Sequence, residues 1–341
     1  MIISICIATR NRGAFIGATL ESIITQATDD VEIVILDGAS TDNTEEVVRQ
    51  YQSRFPHLRY FRQDTNLGID RDFANAVDLA QGDYCWLFSD DDVLKPGAIQ
   101  IVLDALQANY SLVIVNSEVR GADLCTVLES KRLPFEEDRL YKPCDHDRLL
   151  IDVGNYLTFI GCVVIKRALW NARKREDYFG SHFIHVGVIF QQALPEDALV
   201  LVKPLIVIRY ANASWLGRYF EVWMFKWPNL IWSFVAFSSS IKLRVCRKEP
   251  WRSPRTLMHM RGKGAYTKEE YGKWLRPRLT SKWARARAKA IAYVPGRVAN
   301  FIVFIYYLAF NRASDRSLFL LDLANSPFCF WKLPRRRNRG S

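Results

Sequence analysis

Three consecutive carboxylates, Asp90, Asp91 and Asp92, follow Ser89. Adjacent acids repel one another unless a positive charge neutralises them. A divalent cation bound through oxygen is one such partner, and it can bridge to a diphosphate. The plainer reading is an acidic helix cap, because Asp is favoured there and Lys95-Pro96-Gly97 follows as a turn. The run Gly82 to Phe88 weakens that reading, since a buried strand there aims the acids out of a sheet. Polar clusters also occur at residues 9–12, 37–42 and 64–71.

The elements that must carry these clusters read as an α/β unit. Residues 2–8 are short, apolar and rich in Ile, as a buried strand is. Helical spacing follows over 14–27, with Phe15, Ile16, Leu20, Ile23 and Ile24 on one side. A second strand is expected at 31–36, then a turn over 37–42 and a helix from about Asn43. The third and fourth strands are expected at 58–62 and 84–88, with a helix over about 70–80 between them. Strands alternating with helices imply a mainly parallel sheet. In such sheets ligands bind beyond the carboxyl ends of the strands, and all four polar clusters fall there.

Composition sets wide bounds. The 341 residues are 49% hydrophobic and 24% charged, which excludes wholesale disorder. With 47 Lys+Arg against 36 Asp+Glu the formal net charge is +11. The first hundred residues are balanced or acidic, and the excess collects after about residue 240. The seven cysteines form no CxxC pair, which points to buried thiols in a reduced setting. The apolar start, Ile2 to Ile7, lacks a basic leader and is too short to span a bilayer.

In order and spacing, Ser4 to Arg12, Val34 to Asp42, Asn66-Leu67-Gly68, Gly82-Asp83-Tyr84 through Asp92, and Pro96-Gly97 resemble family 2 glycosyltransferases. The resemblance implies the GT-A fold, a Rossmann-like, mainly parallel sheet flanked by helices, and a nucleotide-sugar donor. It implies that Thr9 and Asp37 meet the base and ribose, with Asn11, Arg12, Asn66 and Asp70 also lining the donor pocket. Asp90 resembles the ribose-side acid, and Asp91 the ligand of a Mn2+ or Mg2+ ion on the diphosphate. Ser89 stands where an acid is common in the family, so Asp92 is expected to compensate as a second metal ligand and catalytic residue. Asn66 to Arg71, Gly82 to Trp86, and Lys203 to Arg209 are further similar to bacterial O-antigen abequosyltransferases. That similarity implies a 3,6-dideoxyhexose moved from a CDP-sugar onto a polyprenyl-diphosphate-linked oligosaccharide. A UDP, GDP or dTDP donor is the alternative. Family 2 membership implies inversion, whereas an α-linked donor giving an α-linked product implies retention; both outcomes stay open.

The chemistry needs stabilisation of a leaving diphosphate, for which Arg71 is the cationic candidate, with a solvated helix residue as its alternative. An acceptor hydroxyl also needs a proton acceptor, either a side chain or the β-phosphate. Where the family places an acid, this chain reads Tyr178 to His185 and has no Glu-Asp pair. His185 is the candidate base, and a phosphate contact or a hydrogen-bonded core histidine are its alternatives. Glu196 and Asp197 follow Pro195 and read as a surface turn.

Residues 1–215 are thus expected to form the catalytic domain, with a nucleotide-sugar half at 1–100 and an acceptor half at 101–215. Residues 216–341 are expected to be a helical extension, basic and rich in aromatics. Trp215, Tyr219, Trp223, Trp227 and Trp232 begin it, cations recur through 242–288, and residues 298–310 form an apolar run too short to span a bilayer. With the basic tail Arg335 to Arg339, this mixture suits an anionic membrane surface at the cytoplasmic face of a bacterial inner membrane. A helical homo-oligomer interface or ordinary core packing is the alternative. A basic nucleic-acid-binding protein is the rival outside enzymes, and it leaves the strand-end carboxylates unexplained.

Overall fold

The computed structural model describes residues 2–210, 216–310 and 316–329. Trp215 and the Arg335–Arg339 tail lie outside the described residues. The chain divides into two compact units, residues 1–213 with 229–246, and residues 214–228 with 247–341.

The first unit is a mixed α/β layer structure. Its strands are β1 (Ile3–Thr9), β2 (Val31–Asp37), β3 (Leu58–Arg62), β4 (Tyr84–Phe88), β5 (Val93–Leu94), β6 (Leu112–Arg120), β7 (Val127–Glu129), β8 (Arg139–Tyr141), β9 (Val163–Lys166) and β10 (Ala198–Arg209). The helices are α1 (Gly13–Ile24), α2 (Thr44–Gln52), α3 (Ile69–Leu79), α4 (Ala98–Leu106), α5 (His146–Val153), α6 (Arg167–Ala172) and α7 (Ile184–Phe190). All four expected strands occur within a residue of their predicted bounds; β1, β2 and β4 are short apolar runs buried on both faces, and β3 is the partly exposed edge strand. The helix expected over 14–27 ends earlier, at Ile24, where its apolar spacing ends.

The sheet runs β3-β2-β1-β4-β9-β6-β10-β5, with β7 on β6 and β8 on β10. Strands β3, β2, β1 and β4 are parallel, while β9 lies antiparallel between β4 and β6. The chain order reverses at β1, which sits between β2 and β4. That reversal opens a crevice at the carboxyl ends of these strands. Ile5, Ile7, Ile33, Ile35, Trp86 and Phe88 fill the core beneath it. At the opposite edge buried Glu32 accepts from Ser4 Oγ (2.6 Å), from the Gln81 backbone (2.5 Å) and from Arg59 (3.2 Å). Those three bonds satisfy a carboxylate that would otherwise be costly to bury. Of the cysteines, Cys6, Cys85 and Cys162 are buried in this unit, but Cys125 and Cys144 are exposed.

The remaining helices are α8 (Tyr219–Glu221), α9 (Trp227–Ser233), α10 (Ser239–Val245), α11 (Pro254–Lys263), α12 (Lys268–Glu270), α13 (Lys282–Tyr293), α14 (Gly296–Phe310) and α15 (Arg316–Asn325). The second unit has its own core, in which Phe220 stacks on Tyr266 (5.0 Å between centroids) and Phe225 on Trp274 (5.1 Å). Much of the aromatic content of the C-terminal third is therefore packing.

Candidate active site

The acidic turn sits where β4 leaves the sheet. Asp90 and Asp92 are buried, and Asp91 is half-buried. Arg12, from the loop after β1, reaches across the crevice. Its Nε lies 3.3 Å from Asp90 Oδ1 and its Nη2 3.3 Å from Asp91 Oδ2. Burial, then the charge on Asp91, pushes Asp90 up to about 7 against the pull of Arg12. The same two causes push Asp92 up to about 8. Three carboxyl groups are crowded into the turn, and Arg12 faces two of them, so a cation there would relieve their mutual repulsion.

Asp92 departs from its expected role. One carboxylate oxygen accepts from the Arg209 backbone N–H (2.8 Å), and the other accepts from Ser89 Oγ. Its carbonyl accepts from Thr19 Oγ1 on α1 (2.7 Å). Arg209 Nε also donates to the Asp91 carbonyl (3.0 Å). Asp92 is thus the internal tie of the turn rather than a ligand facing the crevice. Arg209, at the end of β10, is a site residue that composition and spacing did not single out.

A divalent ion fits Asp91, with Asp90 beside it. Among the described residues no three His, Cys, Asp or Glu side chains converge as a protein cage. Hard cations are commonly held by one or two carboxylates together with substrate phosphates, so two acids at a crevice are a sufficient protein share.

The loops after β1 and β2 are stitched together. Asn11 takes a left-handed conformation (φ 54°), its N–H donates to Ser40 Oγ (2.8 Å), and its Oδ1 accepts from the Thr41 N–H (2.7 Å). Arg12 N–H donates to Thr44 Oγ1 (2.8 Å), and Gly13 N–H to Asp42 (3.1 Å). Asp37, fully buried, accepts from the Ser40 N–H (2.7 Å) and from the Tyr60 hydroxyl (2.6 Å).

Beside these braces the Thr9 hydroxyl lies by Asp90 and the Gln63 amide by Asp72, buried contacts that fall short of full hydrogen-bond geometry. Native interiors leave few buried polar groups short of full hydrogen bonds, so a ligand or water is their natural complement. Asp72 is pushed up to about 6, chiefly by burial. A Cβ on Gly38 would stand 2.9 Å from Asp72 Oδ2, so glycine lets that carboxylate press against the β2 turn. The sequence reading placed Thr9 here and missed Gln63 and Asp72. Their signal was a polar pair flanking the Asn66-Leu67-Gly68 turn.

The second predicted group is dispersed. Asn66 is exposed, and its Oδ1 accepts from the Gly68 N–H (3.0 Å). Asp70 is buried and accepts from the backbone N–H groups of His182 (2.9 Å) and Ile184 (3.1 Å). It caps α7, and so positions the 180–184 turn, where Gly180 and His182 both have positive φ. Arg71 is exposed, with its guanidinium 4.8 Å from the Phe179 ring.

His185 is corrected outright. All seven residues of α7 are buried, and His185 is 1% exposed. Its Nε2 lies 2.6 Å from the Leu157 carbonyl, and burial pushes the imidazole down to about 4. A base closed off from solvent and substrate cannot take a proton from an acceptor hydroxyl. Glu196 bonds Ser111 and Lys166 at the far edge of the sheet, as a surface turn does.

The glycosyl transferase family 2 profile matches residues 4–159. The chain is 32% identical over 228 residues to abequosyltransferase RfbV of Salmonella typhimurium, covering 63% of this chain and 68% of that protein. It is 30% identical over 182 residues to a GalNAc(5)-diNAcBac-PP-undecaprenol beta-1,3-glucosyltransferase of Campylobacter jejuni, covering 52% of this chain and 56% of that one. In structure it is similar to residues 1–349 of S. aureus TarS in complex with UDP, at a TM-score of 0.56 and 16% identity, over 89% of this chain and 91% of that one. With a crevice at the strand-order reversal, an acidic turn beside it and these relatives, the chain belongs to the family 2 glycosyltransferases and has their GT-A fold.

Proposed function

We propose that this glycosyltransferase moves a 3,6-dideoxyhexose, of the abequose kind, from a CDP-sugar onto a polyprenyl-diphosphate-linked O-antigen oligosaccharide. The observation that carries the donor half is the row of buried polar groups with hydrogen-bonding capacity to spare, Thr9, Gln63 and Asp72, beside Asp37 and ending at Asp90 and Asp91. The first three present hydrogen-bonding groups for a base and ribose, and the last two present charge where a diphosphate would lie. The likeness to a Salmonella abequosyltransferase supports the sugar, and the likeness to a Campylobacter enzyme named for an undecaprenol-linked substrate supports the carrier.

Asp91, with Asp90, would hold Mn2+ or Mg2+. That ion supplies Lewis-acid stabilisation of the leaving diphosphate. Arg12, already between the two carboxylates, orients them and brings a positive charge to the phosphate side of the crevice. Asn11 and Asp37 keep the pocket walls in register, and Asp92 with Arg209 fixes the turn against β10. Asp70 holds the 180–184 turn, which brings His182 rather than His185 to the carboxyl edge of the sheet. Arg71, exposed on α3, would bring a positive charge to the leaving diphosphate. In this reading residues 1–100 serve the donor, 101–215 the acceptor, and 216–341 the membrane and the lipid-linked acceptor, at the cytoplasmic face of a bacterial inner membrane. Nucleic acid is not a partner in this reading, since the acidic turn repels it.

A donor panel tests the proposal. Slow hydrolysis and equilibrium binding of CDP-, UDP-, GDP- and dTDP-sugars are measured with Mn2+ and Mg2+. Preference for the CDP-sugar is expected. Preference for UDP, GDP or dTDP would replace the dideoxyhexose assignment with another cell-surface transferase. Binding of none would overturn the donor pocket itself.

A further inference from the structure

Helix α14 turns its apolar side the wrong way for an ordinary surface helix. Ala299, Val303 and Tyr307 are buried, and Asn300 is fully buried, donating from Nδ2 to the Gly262 carbonyl (2.9 Å) and the Leu323 carbonyl (3.0 Å). Those bonds fix one side of α14 to α11 and α15. A Cβ on Gly262 would come within 3.0 Å of Val303 Cγ2, so α11 and α14 approach closely there. The other side is just as apolar and faces outward: Val298, Ile302, Ile305 and Leu308 are 41–48% exposed. Their spacing is that of one helical stripe. At the preceding bend Tyr293 is 52% exposed, and Trp283 on α13 is 87% exposed.

The charge on α13 and α14 themselves is of one sign. Residues 271–310 contain eight Lys and Arg and no Asp or Glu. Lys282, Arg285, Arg287 and Lys289 are exposed on α13, which meets α14 at a bend of 98°. No single helix among the described residues is long and apolar enough to cross a membrane. The Asn300 bonds hold the first part of α14 to its own unit. A helix pinned on one side and apolar on the other is suited to lie in an interface.

We infer that the exposed stripe of α14, with the cationic face of α13 beside it, is a docking surface for anionic lipid headgroups. The apolar side chains enter the headgroup–acyl boundary, and the cations stay among the phosphates. Charge complementarity selects this occupant. A second copy placed on the same stripe would bring two wholly cationic segments together, which disfavours self-association. The inference gives a surface to the peripheral attachment proposed above and rests on that part of the reading alone.

The test is co-sedimentation of the full chain with phosphatidylcholine vesicles, with and without phosphatidylglycerol, at low and high salt. Ile302→Asp/Ile305→Asp and Lys282→Glu/Arg287→Glu are the variants, and donor hydrolysis and Tm are followed in each. The wild type should bind the anionic vesicles, with partial loss at high salt because only the cationic share is screened. Each double variant should lower the partition coefficient at least ~10-fold, with hydrolysis and Tm unchanged, because these side chains are exposed. Wild-type protein that ignores anionic vesicles, or variants that bind as it does, would overturn the inference. So would a dimer in solution that Ile302→Asp/Ile305→Asp dissociates, which would make the stripe a self-interface. The donor panel can fail without touching these outcomes, and they can fail without touching it.

Discussion

Replacing His185 by Gln distinguishes a core histidine from a catalytic one through its effect on stability against pH. In the folded chain the imidazole is held down to about 4 by burial, with Nε2 on the Leu157 carbonyl. Unfolded, it returns to about 6.5. Below that value the unfolded state takes up a proton that the folded state refuses. The stability from a neutral His185 is therefore full above about pH 6.5 and drains away as the pH falls towards 4. The gap is worth about 3 kcal/mol in all, of which about 2 kcal/mol is lost between pH 7 and pH 5. Gln keeps an amide donor for Leu157 but does not titrate. It should cost about 1–2 kcal/mol at pH 7 through imperfect filling of the ring's space. The assay is urea unfolding of both proteins at pH 7 and pH 5, with transfer measured at pH 7. The variant should lose about 2 kcal/mol less than the wild type on acidification, and its residual activity should follow its folded fraction. Equal losses would show that His185 titrates normally in the fold. A fully folded but inactive variant would restore it to the chemistry and refute the argument from burial.

The acidic turn yields a paired expectation. Asp91→Asn should lower turnover on the order of a hundredfold with Tm unchanged, whereas Asp92→Asn should retain most activity because its amide can still serve Ser89 and Arg209; equal kinetic losses in the two would contradict the division of roles. Asp92→Ala, by contrast, leaves the buried Arg209 N–H without its acceptor and should cost about 1–3 kcal/mol in chemical denaturation. Asp37→Ala should weaken nucleotide binding more than it slows catalysis, since it releases Tyr60 and Ser40 from the pocket wall; a calorimetric titration with unchanged affinity would contradict it.

The four parallel strands were legible because each is a local statement: a short run between polar turns, rich in Ile or Val in β1 and β2 and in aromatic residues in β3 and β4. The clusters at their ends were legible for the same reason, as the fold places every one of them on one edge. What could not be read is what depends on distant residues. Asp70 looks like a pocket acid beside Arg71, yet its partners lie 112 and 114 residues away. His185 sits in a stretch polar enough to suggest chemistry, and only the packing of α7 turns it inward. Asp92 and Arg209 are 117 residues apart and meet because β5 and β10 pair antiparallel, a connection no local pattern announces. The antiparallel β9 was likewise invisible, since a buried strand reads the same in either direction.

The cross-bracing of residues 11–13 with 40–44 bears on how this enzyme could be re-engineered. Five side-chain bonds join two loops that are remote in sequence, so each loop is held partly by the other. A graft that imports 9–13 from a relative with another donor preference would break partners left behind in 40–44. The exchangeable part is the pair, with Tyr60 as its shared anchor. Because the pair is already tied before any nucleotide arrives, little ordering accompanies binding. Donor specificity can then drift through side chains outside these braces, Thr9, Gln63 and Asp72, while the wall behind them stays the same.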